Sequence, residues 1–332
     1  MNQCAVFPEI HVLFMNTFDR RAITSINSMT DILIGPVSLT LHSSEQYSKT
    51  IYTFGETHVC NTVSANSSGL CDFLFQILVK NADVSLLLEE TKKEIACVYV
   101  AECHLKHVNE RFHKQLFDGE LINGNSVHWT DLRCKFEDLF AIFREFSCKL
   151  FKHDKQDRTS ARLYEIDQLY FVMQLLKRYN FDKLLQDPEI LEQLNLIQDP
   201  ALRDIIKRYW NFTDDYMIAV EAAIPFLYKR ISSILKSSNA RVDQFIELDV
   251  HTTYELGRLS CKLMTLYDNI MDVYLICVLF SRTQSKIVIY AGDWHAQRYR
   301  EFFLYLNFTL INESATPRER ENPKFQCLDQ TC

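Results

Sequence analysis

The 332-residue sequence predicts an α/β fold: a mostly parallel central sheet with crossover helices and a large all-helical insertion. Three observations carry this. Up to about residue 133, short apolar runs alternate with helical stretches, the pattern of parallel strands joined by crossovers. From about 135 to 280 the apolar spacing is helical throughout, too long for one crossover. A last apolar run, Ile287–Ala291, then meets Gly292 and passes at once into a helical pattern, the way open α/β sheets build sites at the carboxyl ends of their strands.

Residues 1–48 hold two short strand patterns, 9–17 and 31–41, joined by a Ser/Thr/Asn-rich turn. They form either an edge hairpin or an N-terminal arm. Residues 49–134 are read as the first part of the α/β core. A strand at Lys49–Phe54 ends at Gly55, and the polar loop Asn61–Gly69 leads to a helix at Leu70–Lys80. A strand at Val84–Leu88 ends in Glu89-Glu90, and a charged helix covers Thr91–Leu116. After a turn at Asp118–Asn125, a third strand, Ser126–Thr130, closes on Asp131 and Arg133.

Residues 135–253 form the helical insertion. Phe136, Leu139, Phe140, Phe143 and Phe146 keep amphipathic spacing, as do Ile166, Leu169, Tyr170, Met173 and Leu176. Asp187-Pro188 and Asp199-Pro200 each place a capping acid before a proline at the first helical position, so helices start there. Pro225 kinks or ends another run. Residues 254–312 return to the core with a last helix, strand and helix. Leu263–Phe280, the most apolar helix, carries Asp268 and Asp272 and reads as a core helix, with no membrane span expected. A polar tail, 313–332, is expected to be disordered.

Composition excludes several classes. Apolar residues make up 47% and charged residues 24%, the usage of a globular protein. The net charge of −7, with no basic stripe, argues against nucleic-acid binding. Eleven cysteines, an odd number without a C-x-x-C pair, indicate neither a disulfide framework nor a zinc knuckle and fit a reducing, intracellular compartment. The N-terminus lacks the basic region of a signal peptide.

The chemistry is expected at two echoes of one pattern, Gly-acid-x-His: Gly55-Glu56-Thr57-His58 and Gly292-Asp293-Trp294-His295. With seven glycines and ten histidines, about 0.03 chance matches are expected. In a parallel sheet these ends share one edge with Glu89, Glu90, Asp131 and Arg133. His58 and His295 with Asp293, Glu56 and Asp131 form an N/O ligand set suited to a divalent metal such as Zn, Mn or Fe. Without a metal, a histidine and a carboxylate serve as base and orienter. The plainer alternatives are tight turns at both glycines, a helix cap at Asp293, and a salt bridge between Asp131 and Arg133. Asp268 and Asp272, at i and i+4, face either the site or solvent. His104, His107 and His113 read as surface residues, and Asp249 and His251 lack a strand context.

At Gly55–His58, Glu89-Glu90 and Gly292–His295 the chain resembles the erythromycin esterase/ChaN-like superfamily, which takes in the TraB and Tiki proteins. Met271–Leu275 followed by Ile289–Asp293 is also similar to uncharacterised proteins of large DNA viruses. The resemblance covers roughly 49–133 and 265–305 and leaves out the helical middle. It implies an α/β core with a site at the strand ends. Within that group the chemistry is ester hydrolysis by a His/Glu pair, metal-dependent peptide cleavage, or haem-iron binding, so fold alone does not choose.

The expected function is therefore a hydrolase of an ester or peptide bond in a small-molecule or peptide substrate. His58, Glu56, Glu89 and Arg133 are its catalytic candidates, Arg133 holding an anionic group. The rival is a non-catalytic viral structural or host-interaction protein, or a metal or haem binder, using the helical block as its partner surface.

Overall fold

The computed structural model describes residues 36–56, 67–91, 108, 110–136, 162–165, 169–170, 173–174, 187–213, 218, 220–237 and 245–315. The strand expected at 9–17, His58, His104, His107, most of the helix expected at 91–116, the phenylalanine-rich helix from 137 onward and the tail beyond 315 lie outside them.

In chain order the elements are β1 (Pro36–Ser44), β2 (Lys49–Glu56), α1 (Ser67–Lys80), β3 (Val84–Thr91), the short α2 (His113–Phe117) and β4 (Ser126–Asp131). There follow β5 (Arg162–Glu165), α3 (Pro188–Leu196), α4 (Pro200–Tyr209), α5 (Ala223–Ser237), β6 (Phe245–Leu248) and α6 (Val250–Ser281). The last three are β7 (Lys286–Gly292), α7 (Asp293–Tyr305) and β8 (Thr309–Ala315). The chain divides into two compact units. One comprises Met1–Glu89, Ala96–His128 and Gln284–Arg318; the other comprises Glu90–Ile95, Trp129–Thr283 and Glu319–Cys332.

The first unit holds most of a mixed six-stranded sheet, ordered β4-β3-β7-β2-β1-β8. β2 and β3 both pair parallel with β7. Their unbroken apolar runs are the signature of strands buried on both faces: Ile51, Tyr52, Phe54, Leu86, Leu87, Leu88, Ile287, Val288, Ile289 and Tyr290 are all buried. β1 pairs antiparallel with β2 and with β8. The β1–β2 link is a tight turn, with Ser48 at φ 50° and its N–H donated to the Glu45 carbonyl at 3.1 Å. Between β3 and β4, the buried amide of Asn125 accepts from the Val84 N–H at 2.8 Å and donates to the Leu78 carbonyl at 2.6 Å.

Two expectations change here. The strand pattern expected at 31–41 joins the main sheet as β1, with the next-to-last position in the strand order. β8 occupies residues expected as chain end and tail; its stretch TLINESA shows little apolar alternation because it lies at the sheet edge, where Thr309, Ile311 and Glu313 are exposed.

In the second unit the long α6 lies against α3, α4 and α5. Its buried Leu256, Leu259, Leu263, Leu266, Ile270 and Val273 keep helical spacing, as do Ile190 and Leu194, Leu202 and Ile206, and Leu227, Ile231 and Leu235 on the other three. Both Asp-Pro starts hold: Asp187 accepts from the N–H groups of Glu189 and Ile190, and Asp199 from that of Ala201. Pro225 sits in the first turn of α5, where its missing N–H costs nothing. Asp249, without apparent context in the sequence, caps α6; it accepts from the Thr252 hydroxyl at 2.7 Å and the Thr252 N–H at 3.0 Å, which in that order hold its carboxyl down to about 2.

The all-helical expectation for this block fails at one place. β5 and β6 pair antiparallel as a two-stranded sheet, Arg162 opposite Leu248 and Glu165 opposite Phe245. Four residues per strand are too few for a period-two pattern to stand out from a helical background. Among the described residues, no helix is long and apolar enough to cross a membrane.

α4 and α7 end alike. Asn211 and Asn307 take the left-handed conformation (φ 52° and 61°), and the following Phe212 and Phe308 donate back to the carbonyls of Lys207 and Phe303. Both phenylalanines are buried, so Asn-Phe is a helix stop with a hydrophobic anchor.

Burial also sets a pH dependence. His42 on β1 is fully buried, and desolvation first, then the Arg300 charge, pulls its pKa from 6.5 to about 4. The unfolded chain takes up this proton first, so stability is full above about pH 6.5 and falls as pH drops toward 4. The loss is on the order of 3 kcal/mol. Urea unfolding of wild type and His42→Leu between pH 4 and 7 should show that segment of the slope in wild type alone.

Candidate active site

Parallel pairing brings the carboxyl ends of β2, β3 and β7 to one sheet edge. Gly55 lies opposite Ala291, Glu56 opposite Gly292, and Leu88 opposite Tyr290. Glu56, Glu89, Asp293 and His295 therefore gather there, 2%, 6%, 8% and 5% exposed. Charges so buried need hydrogen-bond partners, and the donors come from neighbouring elements.

On the α7 side, one Glu89 oxygen accepts the Gly292 N–H at 2.5 Å, and the other lies 3.9 Å from His295 Nε2. Gly292 is the cap residue of α7 and has no side chain to bond the helix start, so Glu89 brings a carboxylate to this terminus from another strand. Asp293 opens α7, and its Oδ1 accepts from the Ser38 hydroxyl at 2.5 Å. The His295 ring lies edge-on to Trp294, centroids 4.7 Å apart, and nearly parallel to Tyr299 at 6.3 Å.

Gly55 makes this junction possible. A Cβ there would meet Ser38 Oγ, and would come within 2.6 Å of Asp293 Oδ1 and 2.9 Å of Asp293 Cα. The last of these is backbone and cannot swing aside. Gly55 is thus a site of close approach between β2 and the start of α7.

Glu56 belongs to the other face. Successive strand residues alternate, so Glu56 points away from the side on which Gly55 meets Asp293. Its carboxylate accepts the Tyr290 hydroxyl, and Phe54, two residues earlier, packs edge-on against Phe73 of α1 at 6.2 Å. The two Gly-acid-x-His turns are consequently not copies. Gly55 sits inside a strand with Glu56 still in register, whereas Gly292 ends its strand and Asp293 begins a helix.

Asp131, Arg133, Asp268 and Asp272 lie in the second unit. Arg133 grips Asp131 in a fork, Nε to Oδ1 at 2.9 Å and Nη2 to Oδ2 at 2.8 Å. Its Nη1 lies 3.7 Å from Asp268, and its guanidinium lies 5.6 Å from the centre of the Tyr267 ring. Asp272 is fully buried in α6. Glu90 is also in this unit, its side chain outside the described residues, and His113 is exposed.

Two partners of the edge, Ser38 and Tyr290, were not singled out in the sequence. Tyr290 carried a legible signal: two residues before Gly292 and opposite Phe54, it shares a face with Glu56. Ser38 carried none, because its strand could not be registered on β2 from sequence. Among the described residues, no three His, Cys, Asp or Glu are placed to hold a metal. Strand alternation accounts for part of this by turning Glu56 away from Glu89.

No family model, curated protein or solved structure matches the chain.

Gly55→Ala should destabilise the protein by about 1–3 kcal/mol, since a rigid backbone contact must open. Chemical denaturation measures this, and Ala291→Gly, in the next strand, serves as a control for backbone entropy.

Proposed function

We propose that this chain is a hydrolase of ester or peptide bonds in which His295 is the general base and Glu89 its orienting carboxylate. The observation that carries this reading is the buried Glu89–His295 approach of 3.9 Å, with Glu89 pinned by the Gly292 N–H at 2.5 Å. A carboxylate fixed on one oxygen can hold an imidazole in one orientation with the other. Catalytic hydrogen bonds are often long in unliganded sites and tighten with substrate. His295 takes a proton from water as its oxygen bonds to the carbonyl carbon. The tetrahedral intermediate then collapses, the bond to the leaving group breaks, and His295 returns the proton to that group.

Of the ligand set expected for a Zn, Mn or Fe ion, His58 lies outside the described residues and Asp131 is bound by Arg133, so no step is routed through a metal. Arg133 receives no substrate role here, because Asp131 and Asp268 already compensate its charge.

A non-catalytic reading, a structural or host-interaction protein that keeps this edge, also has an observation behind it. Glu56, Glu89, Asp293 and His295 are each at most 8% exposed.

The two readings separate on a panel of p-nitrophenyl esters and a fluorogenic peptide library. The hydrolase reading expects turnover that falls about 10²–10⁴-fold in His295→Ala, chiefly in kcat, and less in Glu89→Gln. No turnover above buffer, or equal turnover in wild type and variants, sinks it. Metal analysis by mass spectrometry runs beside the assay: stoichiometric metal lost in His295→Ala would make His295 a ligand instead of a base.

A further inference from the structure

The face of β1 and β2 beneath α7 carries a row of polar side chains that the hydrolase reading does not use. Ser38, Thr40 and His42 follow at i, i+2 and i+4 on β1, so they share one face. Their partners across the pair are Gly55, Thr53 and Ile51. That face is covered by α7, as the approach of Gly55 to Asp293 and the 5.4 Å contact of the His42 and Phe303 rings establish. Thr40, Thr53 and His42 are 6%, 1% and 0% exposed. Yet, among the described residues, Thr40 Oγ1, Thr53 Oγ1 and both ring nitrogens of His42 have no hydrogen-bond partner.

Four orphaned polar atoms side by side in a folded interior are unusual, because buried polar groups are almost always satisfied by protein or by ordered water. Backbone positions two apart on a strand are roughly 6.8 Å apart, and directly opposite positions such as Thr40 and Thr53 are roughly 4.5–5.5 Å apart. Side chains on this face therefore come within reach of shared ordered water. Each threonine hydroxyl can donate and accept, and neutral imidazole offers one donor and one acceptor. We propose that this face is an internal water-binding site, in which ordered water bridges Thr40, Thr53 and His42 and joins them through Ser38 to the Asp293 carboxylate. Ser38 gives its proton to Asp293 and accepts from the next water in the row. The site takes water because its groups are small, neutral and two-sided. It stands whether or not the edge is catalytic.

The test uses the full chain. Thr40→Val/Thr53→Val replaces both hydroxyls by methyl groups of nearly the same size. If water bridges them, the melting temperature falls by about 2–4 °C. If the face is dry, removing two orphaned hydroxyls leaves it unchanged or raises it, and the proposal is overturned.

The second measurement needs no threonine variant. In histidine-labelled wild type, magnetisation transfer from a slowly exchanging water to the His42 ring protons supports the site, and its absence overturns it. The charged groups near His42 that a titration must account for are Arg300 on α7 and Glu313 on β8, which pairs with Arg300. With the water row intact, Asp293→Asn shifts the His42 titration midpoint; in the double-valine background it does not. A shift of equal size in both backgrounds counts against the row.

Discussion

The parallel register of β2 and β3 on β7 is the constraint on which the candidate site depends. It sets Glu56 level with Gly292 and Leu88 level with Tyr290, so residues separated by more than 200 positions in sequence arrive at one edge. A one-residue slip would exchange the two faces of a strand and send Glu89 away from His295. What holds the register is burial on both faces: every residue from Ile51 to Phe54 and from Ile287 to Tyr290 is at most 1% exposed. The site is therefore underwritten by the core behind it and needs no interaction of its own to fix its position.

Burying acids at that edge requires donors, and the fold supplies them from elements that the sheet brings close. Tyr290 reaches Glu56 from the adjoining strand, Ser38 reaches Asp293 from β1, and Glu89 takes the N–H of Gly292. Hydrogen-bonded carboxylates of this kind are held in one orientation, which a general-base mechanism needs and a solvated surface acid lacks. The same junction leaves no room for a side chain at Gly55. The glycine thus follows from the approach of a helix start to a strand, in addition to any role as a turn.

The sequence disclosed those features whose signal is local and strong. Apolar runs ending in Gly55, Glu89 and Gly292 gave the three central strands and their common edge, and Asp-Pro pairs gave two helix starts that the caps of Asp187 and Asp199 bear out. Features that depend on pairing were hidden. β8 is an edge strand of mostly polar residues, β5 and β6 have four residues each, and β1 found its place only through partners at both sides. Ser38 was invisible for the same reason: its importance comes from facing Asp293 across 255 positions.

The repeated Gly-acid-x-His pattern shows how far a motif can reach. Its rarity justified attention to both ends of the chain, and the sheet does place Gly55 and Glu56 beside Ala291 and Gly292. But an identical string does not fix an identical backbone. In the first copy the acid is still a strand residue and alternation turns it toward Tyr290; in the second the acid is the first residue of a helix and meets Ser38. The offset is one residue, since Gly55 faces Ala291 instead of Gly292. With a period of two, one residue is the difference between opposite faces. The acids of the two copies therefore do different work: one is tied into the strand layer beside α1, while the other helps to seat the helix that presents His295. Glu89, which approaches His295, comes from a strand that carries no copy of the motif.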